Sequence, residues 1–149
     1  MRSPRPKSPR PCSSRLPFLA LLAVIAATAA AAAATPADPS KEAALGWLAL
    51  VDGGRYGESW DRSGTMFRTA VTREDWARQL GAVRSPLGAV SKRTVSHSQR
   101  ASSLPGAPDG EYVVFSLDTS FAKKRSAVET VTVVREDDGE WRVVGYYIK

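Results

Sequence analysis

The spacing of apolar residues divides the chain into a helical part and a strand part. In the helical part, apolar side chains recur every three or four positions, which indicates amphipathic helices. The first helix is predicted to have Asp38 as its N-cap and Pro39 in its first turn, and to stop before Gly53. A short second helical piece carries Tyr56 and Trp60 on one side, four positions apart.

A further helix is predicted to open at Thr72. Thr72-Arg73-Glu74-Asp75 resembles a capping box in which aspartate replaces the usual glutamate. In this helix Trp76, Leu80 and Val83 are expected to share a buried face, and Ser85-Pro86 ends it. Phe67 lies before this helix and is expected to extend the apolar surface of the second helical piece.

The second part of the chain changes to alternation and is dense in β-branched and aromatic residues, which is typical of strands. The predicted strands are Val90 to Leu104, Tyr112 to Phe121, Ala127 to Arg135 and Trp141 to Ile148. In the first strand, Arg93, Val95 and His97 are expected on one side. Helices followed by strands predict an α+β domain, in which N-terminal helices pack on one face of a curved, mostly antiparallel four-stranded sheet.

The last strand is apolar on both of its predicted sides. Strict alternation places Trp141, Val143 and Tyr147 on one side of the strand. It places Val144, Tyr146 and Ile148 on the other side. Both faces of this strand are therefore expected to be covered.

The N-terminal segment has the organisation of a secretory signal peptide. Residues 1–15 hold five basic residues and no acidic one, residues 16–34 are uncharged and apolar, and small residues follow. This order predicts cleavage near residues 34–37, so that residues 38–149 form a single exported domain in the periplasm or medium. A retained membrane anchor is the alternative, because nineteen apolar residues can just span a bilayer. The alanine-rich second half and the lack of a charged stop favour cleavage, without stable membrane insertion afterwards.

Most of the net positive charge and the only cysteine of the chain lie in the N-terminal leader. The whole chain has a formal net charge of +6, but without the leader it holds 16 basic and 15 acidic residues, close to neutrality. Nucleic acid is therefore not expected as a partner. The only cysteine, Cys12, lies in the leader, so the exported domain has no disulfide and no thiol chemistry. One histidine and scattered carboxylates predict no metal site.

Glu129 is the most informative titratable residue. It shares strand parity with Val131, and a carboxylate on a core-facing side is costly unless it is paired. Arg93 is the natural counter-ion, and these two residues with Tyr146 are the candidate ligand-binding residues at the floor of a pocket. The alternative is that the side carrying Val128 faces the core, which would leave Glu129 in solvent or in a structural ion pair.

His97 is the only histidine and therefore the only ready general base near neutral pH. Asp118, on the next predicted strand, is its candidate orienting partner, so Glu129 and His97 are the two candidate catalytic residues. The alternative is an exposed strand histidine without a role. No Gly-x-Ser-x-Gly elbow and no glycine-rich phosphate loop occurs, and no cofactor is predicted.

Several ordered motifs resemble the bacterial exported family called "domain of unknown function 4019". They are Trp47 with Asp52, Tyr56 with Ser59-Trp60, Phe67, Trp76, Arg84-Ser85-Pro86-Leu87-Gly88, Leu104-Pro105-Gly106-x-Pro108-Asp109-Gly110, Glu129-Thr130-Val131 and Trp141-Arg142-Val143-x-Gly145-Tyr146. The resemblance implies export but no reaction. The element order is also similar to the nuclear transport factor 2-like (cystatin-like) cone, in which a curved sheet wraps a helix. Such cones include isomerases, dehydratases, immunity proteins and binding modules, so the fold does not choose among them.

These observations predict an exported, non-catalytic module that binds a small ligand or a protein of the cell envelope. One alternative is a small-molecule isomerase or dehydratase that uses Glu129 or His97 as its base. Another is a structural homodimer in which the open face of the sheet is buried by a second copy. A ligand pocket, catalytic or not, requires a concave site that contains Arg93 and Glu129.

Overall fold

A computed structural model describes residues 37–149 of the chain. The helices are α1 (Pro39–Asp52), α2 (Tyr56–Asp61), α3 (Thr65–Ala70) and α4 (Arg73–Arg84), and the strands are β1 (Val90–Ala101), β2 (Glu111–Phe121), β3 (Lys124–Arg135) and β4 (Trp141–Ile148). The predicted α+β class is confirmed. The predicted signal peptide and its cleavage fall outside the described residues. Among the residues that are described, we find no helix long and apolar enough to cross a membrane.

The four strands form one open antiparallel sheet in the order β1-β2-β3-β4. Each strand pairs with the next along the chain, so every connection is a hairpin. Between β3 and β4 the chain turns through Asp137, Asp138 and Gly139, where Gly139 has a φ of +84° that glycine adopts without strain. The predicted four-stranded antiparallel arrangement is thus confirmed.

Both predicted helix starts are present and are held by their caps. The Asp38 carboxylate accepts a hydrogen bond from the backbone N–H of Ser40 at 3.0 Å, with Pro39 at the first position of α1. The Thr72 hydroxyl accepts a hydrogen bond from the backbone N–H of Asp75 at 3.2 Å and opens α4. These bonds satisfy N–H groups that the first turn of a helix leaves without partners.

One face of the sheet, the inner face, packs against α1 and forms the core. Trp47 of α1 lies at its centre, with its ring 5.3 Å from that of Tyr146 and 5.9 Å from that of Trp76. The Trp47 indole N–H is satisfied by the carbonyl of Ser59 at 2.7 Å and the hydroxyl of Ser63 at 3.0 Å. The remaining core residues are apolar and buried: Ala44, Leu48, Val51, Leu80, Val113, Phe115, Leu117, Val131, Val133 and Val143.

Val83 is not part of this core, and its predicted burial is wrong. Its side chain is 50% exposed, whereas Leu80 and Arg84 are buried. The inward-facing residues of α4 are Trp76, Leu80 and Arg84, which follow one another at intervals of four positions. The charged Arg84 therefore lies on the buried side of the helix, where Val83 was predicted.

An irregularity in β1 overturns the predicted grouping of Arg93, Val95 and His97. Val95 pairs with Leu117, but His97 pairs with Ser116, so one extra residue is inserted between them. Leu117 is buried on the inner face, and its neighbour Ser116 points to the opposite, outer face. His97 therefore lies on the outer face, away from Val95.

A second irregularity in β4 changes which tyrosine points inward. Gly145 pairs with Thr132 and Val143 with Val133, so Val144 is the extra residue. Tyr146 therefore joins Val143 on the inner face, and Tyr147 points outward with 62% of its surface exposed. The predicted grouping of Tyr147 with Val143 is wrong, and so is the expectation that both faces of this strand are covered.

Candidate functional site

A cluster of charged and hydroxyl side chains is buried between the helices and the sheet. We call it the Glu129 cluster, and its members come from six elements: Asp52, Arg84, Arg93, Thr119, Glu129 and Tyr146. Glu129 is completely buried, and the side chains of Arg84 and Arg93 are 5% and 12% exposed. The alternative in which Glu129 faces solvent is therefore wrong, and its predicted pairing with Arg93 is present.

Both oxygens of Glu129 are fully used as acceptors. Oε2 accepts from Arg93 Nε and from the Thr119 hydroxyl, each at 2.6 Å. Oε1 accepts from the Tyr146 hydroxyl at 2.5 Å, from Arg93 Nη2 at 3.1 Å and from Arg84 Nη1 at 3.3 Å. Burial of a carboxylate has a high free-energy cost unless the carboxylate accepts charge-assisted hydrogen bonds of this kind.

Asp52, at the last position of α1, is the second carboxylate of the cluster. It accepts from Arg84 Nη2 at 2.6 Å, and from Arg93 Nη1 at 2.5 Å and Nη2 at 3.0 Å. Two carboxylates thus balance two guanidinium groups, and Arg84 also lies over the ring of Phe121, 4.6 Å from its centroid. The cluster fastens the C-terminal end of α1 to α4 and to the sheet.

The protonation of the cluster follows from its contacts. Burial alone would lower the pKa of Arg93, but hydrogen bonds to Asp52 and Glu129 outweigh it, and the pKa is raised. The pKa of Tyr146 is raised well above its usual value, first by burial and then by the negative charge of Glu129. Arg93 therefore stays charged, and the Tyr146 hydroxyl stays protonated as a donor.

The predicted ligand-binding residues Arg93, Glu129 and Tyr146 do come together, but in a closed arrangement. The main depressions in the described part of the chain are lined by other residues. Sequence reasoning also missed Asp52 and Arg84, which complete the cluster. For Arg84 a signal existed, because it lies four positions after Leu80 on the inward stripe of α4.

The second predicted catalytic residue is isolated from this cluster. His97 is exposed on the outer face of the sheet. Its candidate partner Asp118 pairs with Thr94, and within residues 37–149 no hydrogen bond joins Asp118 to His97. The two candidate catalytic residues therefore lie on opposite faces of the sheet.

An open cleft of about 950 Å³ runs beside α1, and we call it the α1 cleft. One wall is a single stripe of α1, made of Pro39, Glu42, Ala43, Gly46, Trp47 and Leu50. The spacing of three and four residues places this stripe along the helix axis. One side of the cleft is therefore formed by a helix.

The facing walls come from the end of the sheet and from the region of α2. Arg100, Glu111, Arg135, Glu140 and Trp141 contribute on the sheet side, and Arg55 and Arg62 contribute near α2. Arg100 lies 3.6 Å from the Asp38 carboxylate and Arg135 lies 3.7 Å from Glu111. The lining thus combines charges of both signs with a few apolar side chains. Trp141 also lines a neighbouring depression of about 320 Å³.

Metal binding finds no support in the described part of the chain. Residues 37–149 contain no group of three or more histidine, cysteine or acidic side chains placed to hold an ion.

Comparisons with known proteins connect these features to a family. A solved structure of a protein from Catenulispora Acidiphila, determined at 2.5 Å, is 16% identical, has a TM-score of 0.49, and is matched over 74% of this chain and 88% of that chain. No curated protein matches this chain. The family model described as "Protein of unknown function (DUF4019)" matches residues 43–146, which is most of the chain and confirms the resemblance. This protein therefore belongs to the family of proteins of unknown function DUF4019.

Proposed function

We propose that this protein is exported to the cell envelope and works there as a non-catalytic binding module, with the α1 cleft as its site. The observation that carries the proposal is the open cleft of about 950 Å³ between α1 and the end of the sheet, which is lined by charged residues of both signs and by a few apolar side chains. Binding sites for small molecules are typically concave and contain polar groups that fix the orientation of the ligand. The charged, apolar and small-residue segments of the leader support export.

The contacts of Glu129 and His97 favour binding over catalysis. A general base must reach the proton that it removes, directly or through one water. Glu129 is completely buried and its oxygens are occupied by Arg84, Arg93, Thr119 and Tyr146. His97 is exposed on the outer face, away from the α1 cleft. Neither Glu129 nor His97, the two bases considered for the isomerase or dehydratase alternative, is therefore accessible at the cleft.

The cleft can be blocked without disturbing the core. A Cβ atom added at Gly46 would meet nothing within 4 Å, so the variant Gly46→Trp is expected to fold with its indole in the cleft. Ala49→Trp is the matched control, because Ala49 is exposed on α1 but does not line the cleft. Each variant is purified from the envelope of the host and measured by native mass spectrometry.

The expected result is a ligand that co-purifies with the wild type and with Ala49→Trp but not with Gly46→Trp. The same spectra report the processed N-terminus and so test export. Equal ligand on both variants, or no ligand on the wild type after purification at low ionic strength, would contradict the proposed site.

A second candidate role is a structural homodimer through the outer face of the sheet. The middle of this face is formed by uncharged residues, Val114, Ser116, Thr130 and Thr132, beside the exposed ring of Tyr147. Tyrosine is enriched at protein–protein interfaces, and the exposed ring of Tyr147 is the observation that favours this role. Sedimentation equilibrium tests this role: Tyr147→Asp should shift a dimer towards monomer, and a wild type that stays monomeric at high concentration excludes it.

A further inference from the structure

Four basic side chains lie together at one end of the sheet, and we call this group the basic tip: Lys92, Lys123, Lys124 and Arg125. The last three are consecutive in the hairpin between β2 and β3. Lys92, near the start of β1, pairs in register with Ser120, one residue before the end of β2. It lines a depression of about 360 Å³ together with Arg125. The fold therefore adds a fourth cation to three that are adjacent in sequence.

The cations of the basic tip are available to a partner. Among residues 37–149, none of the four makes an ion pair with a carboxylate. Asp118 lines the same depression as Lys92 and Arg125, without an ion pair to either of them. Lys124 is half-buried, and the other three are exposed. Side chains of like charge repel one another, so an anionic partner would relieve a repulsion within the tip.

The hairpin that carries the basic tip is fixed to the segment before β1. The backbone N–H of Ala122 donates to the carbonyl of Ala89 at 2.8 Å, and that of Lys123 donates to the carbonyl of Leu87 at 2.9 Å. Gly88 has a φ of +74°, and a Cβ atom there would lie 3.2 Å from the Cβ of Ala122, so the two turns pack closely. The backbone of the tip is therefore ordered before a partner binds, which lowers the entropy cost of binding.

The opposite end of the sheet is acidic. The two connections there, residues 102–110 and 136–140, contain five carboxylates and no basic residue. Three arginines on the adjoining strand ends are each paired with a carboxylate: Arg100, Arg135 and Arg142. Three of the five carboxylates make no ion pair among residues 37–149: Asp109, Asp137 and Glu140. Without the leader the chain is close to neutral, so its charge is separated along the strands.

The position of the basic tip indicates which kind of anion fits it. A polyanionic chain is typically held in a basic groove, whereas these cations lie at the end of a sheet. An anion that entered the neighbouring depression would meet Asp118, which repels it. An extended anionic surface contacts the tip from outside and avoids that carboxylate. Anionic lipid headgroups form such a surface, and they attract lysine and arginine side chains close to it.

We propose that the basic tip docks the protein reversibly on a bilayer that contains anionic lipids, with the acidic end of the sheet turned away from the bilayer. The docking surface is separate from the α1 cleft, so it goes beyond the proposed binding function. The sheet side of the cleft, which includes Glu111 and Trp141, lies at the acidic end and stays open to the solution in the docked protein. Docking through headgroups requires no inserted segment.

Sedimentation with vesicles tests the docking. Protein purified from the host envelope is mixed with vesicles of phosphatidylcholine and phosphatidylglycerol in equal parts, or with vesicles of phosphatidylcholine alone. At an ionic strength of about 0.1 M, where the Debye length is about 10 Å, we expect binding to the anionic vesicles only. An ionic strength of about 1 M should release the protein, because the Debye length then falls to about 3 Å.

Two double variants with the same change of net charge locate the contact. Lys123→Gln with Arg125→Gln removes two exposed cations of the basic tip. A cation near an anionic surface strengthens binding about fivefold, so this variant should bind about 25-fold more weakly. Lys41→Gln with Arg68→Gln is the control, because both residues are exposed on α1 and α3, helices whose N-terminal ends lie at the acidic end of the sheet. The control should change binding by less than about twofold.

Three results would overturn the docking. Phosphatidylcholine vesicles could bind as much protein as the anionic vesicles, or the two double variants could weaken binding equally. The anionic vesicles could also fail to bind, and soluble polyglutamate serves as the second probe in that case. If polyglutamate then binds and Lys123→Gln with Arg125→Gln weakens it, the tip recognises an acidic chain instead of a bilayer. The ligand that Gly46→Trp loses is measured separately, so failure of the docking leaves the proposed function standing.

Discussion

Replacing Glu129 by glutamine tests whether the Glu129 cluster is a structural fastening. The substitution keeps the size of the side chain and removes one negative charge from a site that is completely buried. Arg84 and Arg93, which are 5% and 12% exposed, then share Asp52 as their only carboxylate. The new amide N–H group also faces donors from Thr119 or Tyr146, so a hydrogen bond is lost in addition to the charge.

The magnitude follows from the burial of these groups. Removing one partner of a buried ion pair costs about 3–5 kcal/mol, because the other charge stays buried without compensation. Asp52 remains bonded to both arginines, which places the expected loss near the lower end, about 3 kcal/mol. For a domain of this size the midpoint of thermal unfolding should fall by about 12 °C. A domain with a free energy of unfolding of about 5–15 kcal/mol would still fold.

Urea unfolding followed by tryptophan fluorescence measures this loss. Asp61→Asn is the matched control, since Asp61 also accepts two hydrogen bonds from one arginine, Arg73, at 3.0 and 3.1 Å, but on the surface. The control substitution should lower the free energy of unfolding by less than about 1 kcal/mol. A loss below about 1 kcal/mol for Glu129→Gln would refute the reasoning, because the buried carboxylate would then contribute no more than an exposed one.

The remaining predictions concern other parts of the molecule. Hydrogen bonds from Arg142 and then from a backbone N–H lower the pKa of Asp138 from 3.8 to about 2, so its contribution to stability is complete above pH 3.8 and is lost as the pH falls towards 2; an NMR titration should show this midpoint, and Arg142→Gln should raise it. Gly46→Ala should raise the free energy of unfolding in urea by about 0.5–1 kcal/mol. Gly64→Ala should lower it, because its Cβ would lie 2.6 Å from a side-chain carbon of β4. If the leader is cleaved as proposed, mass spectrometry of the protein from the host envelope should find its first residue within residues 35–38.

The helix starts could be predicted because the signals that create them are local. Asp38 and Thr72 each cap a helix through a backbone N–H two or three residues later, so the interaction is fully contained in a short stretch of sequence. The same holds for the glycine turn that ends α1 at Asp52. Where a structure is decided within one turn of chain, the residues in that turn suffice to predict it.

Side chains of β1 and β4 were assigned to the wrong face of the sheet where one inserted residue changed the alternation. Each insertion moved the following side chains to the other face, which placed His97 outside and Tyr146 inside. The position of such a bulge depends on how two strands twist against each other. The alternating pattern of one strand does not contain that information.

The Glu129 cluster was predicted only in part, because its members come from distant parts of the chain. The parity of Glu129 with Val131 indicated an inward carboxylate, and Arg93, which shares a side of the first strand with Val95, was the correct partner. Arg84 and Asp52 were missed, because they reach the cluster from helices that are distant in sequence from Glu129. The stripe of α4 indicates that Arg84 points inward, but the carboxylates that it meets depend on how the helices cross the sheet, which no local pattern determines.

The Glu129 cluster is expected to affect the proposed binding, although its residues do not line the α1 cleft. Asp52 holds the C-terminal end of α1, and α1 is one wall of the cleft, so the cluster sets where that wall stands. Loosening this end should change the shape of the whole cleft. Glu129→Gln should therefore lower the amount of ligand that co-purifies with the protein, measured by native mass spectrometry below the unfolding midpoint of the variant, whereas the surface control Asp61→Asn should leave that amount unchanged. Equal ligand on the wild type and on Glu129→Gln would show that the cluster does not position the wall of the cleft.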